Sequence, residues 1–595
     1  RHHHSAAPVD HIFTVMRLAF SARIWTSLSA VALTTTSPAR SFSIGRSSLL
    51  LSAASASRTV SKTTALLSTM TVDTCDNPAS SGDGSNPLLA DWSKQPFHMA
   101  PFADIQTQHF EPALEEGMKR QLEDLQAIVD NEETPSFKNV IETYDQSGSL
   151  LDKVGSVYGN LCSSMNTDDL QKVQTKMSPI LSKHRSKTYM LPGLFDKVNA
   201  IYEQRNDLSL NPEQLRLVER IHMDFKRAGA HFDGEQQEEY ASIKAELATL
   251  TTQFQQNIMK DESTYEMVVT SKDLEGCPTS LVEAAKQAAA ERNKTGDDEH
   301  VITLSRSLVE PFLMYCPNRA LRQEAWEAWT NRGQLSPERD NISIGKKILQ
   351  LRQRQAALHG YSSFAAYQCV DRMAKTPEAV MELLENVWER AKVSANEERE
   401  ALEAYVKEHK LDLGDSASIE PWDWRFVAEK VRKEKYDFDE SVLKPYLSLD
   451  AVRASMFDVS NKLFGLEYIP RKDIQAYHPD VDVFEVRKNG ELVAIFLHDN
   501  YARPFKGSGA WMSEFRSQTK NLAAGVDKME GIPIVCNNNN LAKASGATLL
   551  SFDDSTTLFH EFGHGHHGML SDATYSRLAS TSVLTDFVEL PSQLM

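Results

Sequence analysis

The stretch "TTLFHEFGHGHHGML", residues 556–570, sets four histidines and a glutamate within eight positions, and no other segment restricts the chain so tightly. On a helix, His560 and His564 lie four residues apart, so both imidazoles leave one face about one turn apart and can reach a single tetrahedral zinc ion. Glu561 falls beside that pair. There a carboxylate can take a proton from water whose pKa a metal has brought down to about 7. This is the HExxH arrangement, with two ligands and a general base on one helical turn.

HExxH also arises on solvated or capped helix faces, so a third ligand decides its meaning. A metzincin would place Gly at 567 and His at 570, where this chain has His567 and Leu570, and that class is excluded. His567 is a rival ligand, but it stands seven residues from His560, about 10 Å along a helix axis, an awkward span for three ligands on one ion. His566 and His567 are read as neighbours of the site. The better candidate is Glu589 in "TDFVELPSQLM", 25 residues after His564. That interval allows a loop and the start of a second helix facing the first. Two neutral imidazoles and one carboxylate leave a net positive centre, suited to polarising a peptide carbonyl. Asp586 and Gln593 flank Glu589, either to orient ligands or to serve as caps and surface groups.

At 595 residues the chain exceeds one compact core, which points to two lobes around a cleft. Apolar content of 41% and charged content of 25% are those of a globular protein, and no apolar run reaches the roughly 18 residues that span a bilayer. Six scattered cysteines without a CxxC suggest reduced thiols and no thiolate zinc site. Residues 1–72 hold seven Lys and Arg against Asp10 alone, so the remainder is more acidic than the overall −18. Such a body is a poor nucleic-acid binder, and either a host for cationic peptides or simply well solvated. From Met16 to Val72 there is no acidic residue while Ser, Thr, Ala and Arg abound, the composition of an organellar transit peptide. Met70 offers a second start that would give a cytosolic form.

Most of the chain beyond "DNPASSGDGSN" has helical period. "NPEQLRLVERIHMDF" offers Asn211 as N-cap, Pro212 at the first helical position and an apolar stripe of Leu215, Val218, Ile221 and Phe225. "TPEAVMELLENVWERAK" repeats the device with Thr376 and Pro377, and "EEREALEAYVKEHK" reads as a solvated charged face. "VDVFEVRKNGELVAIFLHD" alternates on both sides of Asn489-Gly490, a hairpin signal. "IPIVCN" (532–537) reads as a further strand, either an edge that pairs with an extended substrate or a brace for the zinc helix. "PFKGSGAW" (504–511) is a Gly-rich loop that could fold over substrate, without phosphate-loop spacing.

"TLFHEFGHGHHG" followed by "DFVELPSQ" resembles the thimet oligopeptidase family of zinc peptidases. "DRMAKTPEAV" (371–380), "IEPWDWRFVAEKVRK" (419–433), "LKPYLSLD" (443–450), "YARPFKGSGAWMSEFRSQ" (501–518) and "LLSFDDSTTLFHEFGH" (549–564) are most similar to its peptidyl-dipeptidase branch, with oligopeptidase A nearby. The resemblance runs from about Asn86 to the last residue and implies one zinc ion held by His560, His564 and Glu589, with Glu561 as general base. It further implies a mainly α fold, two helical lobes around a deep substrate channel with a small β-sheet near the zinc helix, acting on short unstructured peptides. The expected organisation is a leader over 1–15, transit peptide and linker over 16–85, an N-terminal helical region over 86–330 and a zinc peptidase region over 331–595. The reading is a monomer of the mitochondrial or plastid matrix that takes oligopeptides, neither nucleic acid nor membrane, and releases C-terminal dipeptides. Its rivals are an endo-oligopeptidase and a non-catalytic peptide- or zinc-binding scaffold, which an intact Glu561 disfavours. Because "PSQLM" closes the sequence six residues after Glu589, while the family continues with a helical segment carrying substrate-binding His and Tyr, the chain as given is expected to have little activity.

Overall fold

The computed structural model describes residues 86–595, apart from 295, 297, 414–417, 437–443, 504, 508, 542 and 544–545. The transit-peptide and Met70 readings fall on residues 1–85, outside this set. Between Phe110 and Cys369 the chain runs through a series of helices, interrupted by a two-stranded pair, β1 (Met267–Val269) and β2 (His300–Ile302). Local chemistry explains their starts. Asn211 Oδ1 accepts the Gln214 N–H at 2.9 Å while Gln214 Oε1 accepts the Asn211 N–H at 3.1 Å, a reciprocal cap on helix Pro212–Ala228. Val218, Ile221 and Phe225 of the expected stripe are buried, together with Leu217. Thr376 caps the 32-residue helix Pro377–Glu408, whose outer face exposes Met381, Leu384 and Trp388 as well as charges.

The second half builds a five-stranded sheet in the order β3-β4-β5-β7-β6, from β3 (Leu466–Pro470), β4 (Val481–Lys488), β5 (Glu491–Tyr501), β6 (Trp511–Arg516) and β7 (Ile534–Leu541). Strands β4 and β5 form the expected hairpin, and Asn489 and Gly490 both take positive φ (53° and 81°), as a two-residue turn matched to strand twist demands. β7 runs parallel to β5 and antiparallel to β6. It lies inside the sheet with both edges bonded, so the edge-strand reading of "IPIVCN" is corrected; β6 and β3 are the edges.

Both faces of this sheet are covered. On one face Val483, Ile495, Leu497, Ile534 and Cys536 pack with Ala113, Leu114, Val154 and Val157 of helices Phe110–Asp130 and Ser149–Ser164. On the other, Phe484, Phe496 and Val535 pack with Leu558 and Phe562 of helix Phe552–Met569 and with Val452 and Met456 of helix Leu449–Phe464. The molecule is mainly helical with one substantial sheet, and the HExxH helix rests on that sheet. The described part of the Gly-rich segment is tied to the protein body: the Gly507 N–H donates to the Ser163 carbonyl at 2.7 Å, and Asn540 Nδ2 donates to the carbonyls of Gly507 and Gly509.

Candidate metal centre

Helix Phe552–Met569 starts at Ser551, whose hydroxyl accepts the Asp554 N–H at 3.0 Å while the Asp554 carboxylate accepts the Ser551 N–H at 3.0 Å. Phe562 and Leu558 fix its rotation by burying against the sheet, and His560 and His564 then face away toward the last segment of the chain. Gly563 lets that segment approach. A Cβ there would stand 2.6 Å from the Pro591 carbonyl oxygen and from Ser592 Cα, so only glycine leaves room for the chain carrying Glu589.

The result is a convergence on one oxygen. His560 Nε2 lies 3.3 Å and His564 Nε2 3.2 Å from Glu589 Oε2, and one ligand atom from each residue falls within 4.8 Å of the other two. Three groups that act as acceptors in their metal-binding forms repel at such distances unless a proton or cation lies among them. Two imidazoles and a carboxylate are a donor set that fits zinc. The imidazoles of His560 and then His564 hold the Glu589 carboxyl well below the usual range, and Glu589 in turn raises the His560 imidazole.

Glu561 is 7% exposed. Burial raises its carboxyl, against the opposing pull of His564 and His560. A carboxylate made more basic and placed next to His560 is a competent proton acceptor.

The other sequence candidates take other roles. His566 is buried with Nε2 2.7 Å from Ser460 Oγ, and burial draws its imidazole down to about 4. His567 lies near the Phe587 ring, and neither histidine joins the cluster. Asp586 accepts the N–H groups of Met373 (2.9 Å) and Ala374 (3.2 Å), bracing the turn ahead of helix Pro377–Glu408, and Gln593 is exposed. The side chain that does orient the Glu589 carboxylate is Ser592, whose hydroxyl donates to Glu589 Oε2 at 2.7 Å. Glu589 is the N-cap of the short helix Leu590–Leu594 and not a residue within it. Pro591, which favours a first helical turn, was a signal in the sequence that Ser592 would fold back on Glu589.

The model of Peptidase family M3 matches residues 312–595, a span that contains the whole cluster. The dipeptidyl carboxypeptidase of Escherichia coli (strain K12) is 36% identical over 513 residues, 86% of this chain and 73% of that protein. The chain belongs to peptidase family M3. Oligopeptidase A of the same organism is 29% identical over 518 residues, covering 86% of this chain and 74% of its own. Organellar oligopeptidase A, chloroplastic/mitochondrial, of Arabidopsis thaliana is 30% identical over 526 residues, covering 86% and 65%. The M3 chain is thus a metallopeptidase by family, with HExxH on the helix where that chemistry requires it.

Proposed function

We propose that this M3 peptidase holds one zinc ion through His560, His564 and Glu589 and removes C-terminal dipeptides from short unstructured peptides inside an organelle. The convergence of both imidazoles on Glu589 Oε2 carries the zinc assignment. When bound, the metal supplies a Lewis acid that polarises the scissile carbonyl. Glu561 takes the proton of the attacking water at its carboxylate and returns it to the departing amine nitrogen. Dipeptide release is supported by the 36% identity to a dipeptidyl carboxypeptidase, and the organellar setting by the acid-free leader and the likeness to an organellar oligopeptidase. Among the described residues no helix is long and apolar enough to cross a membrane.

The 29% identity to oligopeptidase A favours a second reading, internal cleavage of the same substrates. Mass spectrometry of the products that the full-length enzyme forms from a defined decapeptide, with zinc present, separates the two. Successive loss of C-terminal dipeptides is expected, slowed by several orders of magnitude in Glu561→Gln with zinc retained. Internal cuts would replace the first reading with the second, and equal turnover by Glu561→Gln would remove Glu561 from its role.

A further inference from the structure

Glu514 on β6 is a buried carboxylate that the proposed chemistry does not use. It is 3% exposed and lies beneath the end of the HExxH helix, where a Cβ on Gly568 would stand 2.9 Å from its Oε1. Its partners are two hydroxyls, Ser517 Oγ donating to Oε2 at 2.6 Å and Ser580 Oγ donating to Oε1. Ser517 belongs to the same stretch of chain as Glu514. Ser580 belongs to the arm that leaves the HExxH helix at Leu570 and returns with Glu589.

Ser580 is also held in an unusual conformation, φ 54°, which a serine adopts only where its surroundings fix it. Those surroundings form a closed relay. The Ser580 N–H donates to Ser571 Oγ at 3.0 Å, Ser571 Oγ donates to Gln518 Oε1 at 3.1 Å, and Gln518 Nε2 donates to the Ala573 carbonyl at 2.8 Å. The two ends of the excursion, Ser571 and Ser580, are thereby joined to each other and to the residues that follow β6. Strand β6, which carries Glu514, also packs against the HExxH helix at Gly568, where a Cβ would stand 2.8 Å from Met512 Cε.

We infer that Glu514 is a positioning residue: through Ser580 it anchors the arm that presents Glu589, and so fixes the third ligand relative to His560 and His564. This rests on the zinc reading above. A carboxylate serving only to fill the interior would gain as much from Ser517 as from Ser580, whereas an anchor depends on Ser580.

The test is zinc affinity, measured on the whole chain by competition with a chelator of known affinity, for the wild type, Glu514→Ala, Glu514→Gln, Ser580→Ala and Ser517→Ala. Supporting residues around metal ligands commonly change affinity by about 10- to 100-fold. Ser580→Ala and Glu514→Ala are expected to bind zinc at least about tenfold more weakly, Ser517→Ala within about twofold of wild type, and Glu514→Gln to recover most of the loss, since an amide of the same shape still meets Ser580. Should Glu514→Ala fail to fold, the Ser580 and Ser517 variants decide the matter between them. Wild-type affinity in Ser580→Ala, or an equal loss in Ser517→Ala, would overturn the anchoring alone. A wild-type chain that binds no zinc would overturn the zinc reading and the anchoring with it.

Discussion

At the scale of single residues, the site depends as much on what is absent as on what is present. Gly563 sits between the histidines, and replacing it with alanine would force a carbon to within 2.6 Å of the backbone at Pro591 and Ser592. That backbone must move, and Glu589 with it. Because a displacement of about 1 Å in a catalytic constellation can reduce rate about 100-fold, Gly563→Ala is expected to lower kcat/KM of the full-length enzyme by about that factor and to weaken zinc binding. Unchanged zinc affinity in that variant would show that the approach is looser than described. His560, His564 and Glu561 were legible because helical spacing alone puts them together, and Glu589 because its interval and chemistry suit a third ligand. Gly563, Glu514 and Ser580 were not, since each acts through a contact between segments that only the folded chain brings together. Asp586 was misleading for the same reason: its carboxylate turns to Met373 and Ala374, more than two hundred positions away.

At the scale of elements, periodicity was a sound guide to type and a poor one to place. Asn211-Pro212 and Thr376-Pro377 mark real helix starts and Asn489-Gly490 a real hairpin, because caps and tight turns are local chemistry. Whether "IPIVCN" lies at an edge depends on β6, a strand earlier in sequence that takes the outer position. The turn after β5 shows another device. The Lys506 side chain is buried and donates to Asp499 Oδ1 (2.9 Å) and to the carbonyls of Asp499, Tyr501 and Asn539. Arg503 pairs with both Asp499 oxygens at 2.7 and 2.6 Å. Burial alone would raise the Asp499 carboxyl, yet Arg503, Lys506 and Tyr477 hold it below its ordinary value. Removing one partner from a buried ionic group costs about 3–5 kcal/mol, so Lys506→Met should lower the thermal midpoint by several degrees without touching the metal ligands. An unchanged midpoint would mean that Arg503 suffices.

At the scale of the whole molecule, acid should weaken the fold through partly and fully buried histidines outside the His560, His564 and Glu589 cluster. Burial draws His222 and His359 down to about 4 and His498 to about 3, from an ordinary 6.5. Between those values the unfolded chain binds protons that the folded chain refuses, so stability is complete above about pH 6.5 and is lost as pH falls toward 4. Each such group contributes up to about 1.4 kcal/mol per pH unit in that window. Denaturant titrations at a series of pH values would show the decline, and a flat profile from pH 7 to about 4 would contradict it. The central claim is that two imidazoles and Glu589 hold one zinc ion, and zinc K-edge X-ray absorption on the protein loaded with one equivalent of zinc tests it most directly. The account predicts two imidazole nitrogens at about 2.0–2.1 Å with the remaining ligands oxygen, and loss of one imidazole from the spectrum of His564→Ala. A sulfur shell at about 2.3 Å, a third imidazole, or a spectrum unchanged in His564→Ala would contradict it.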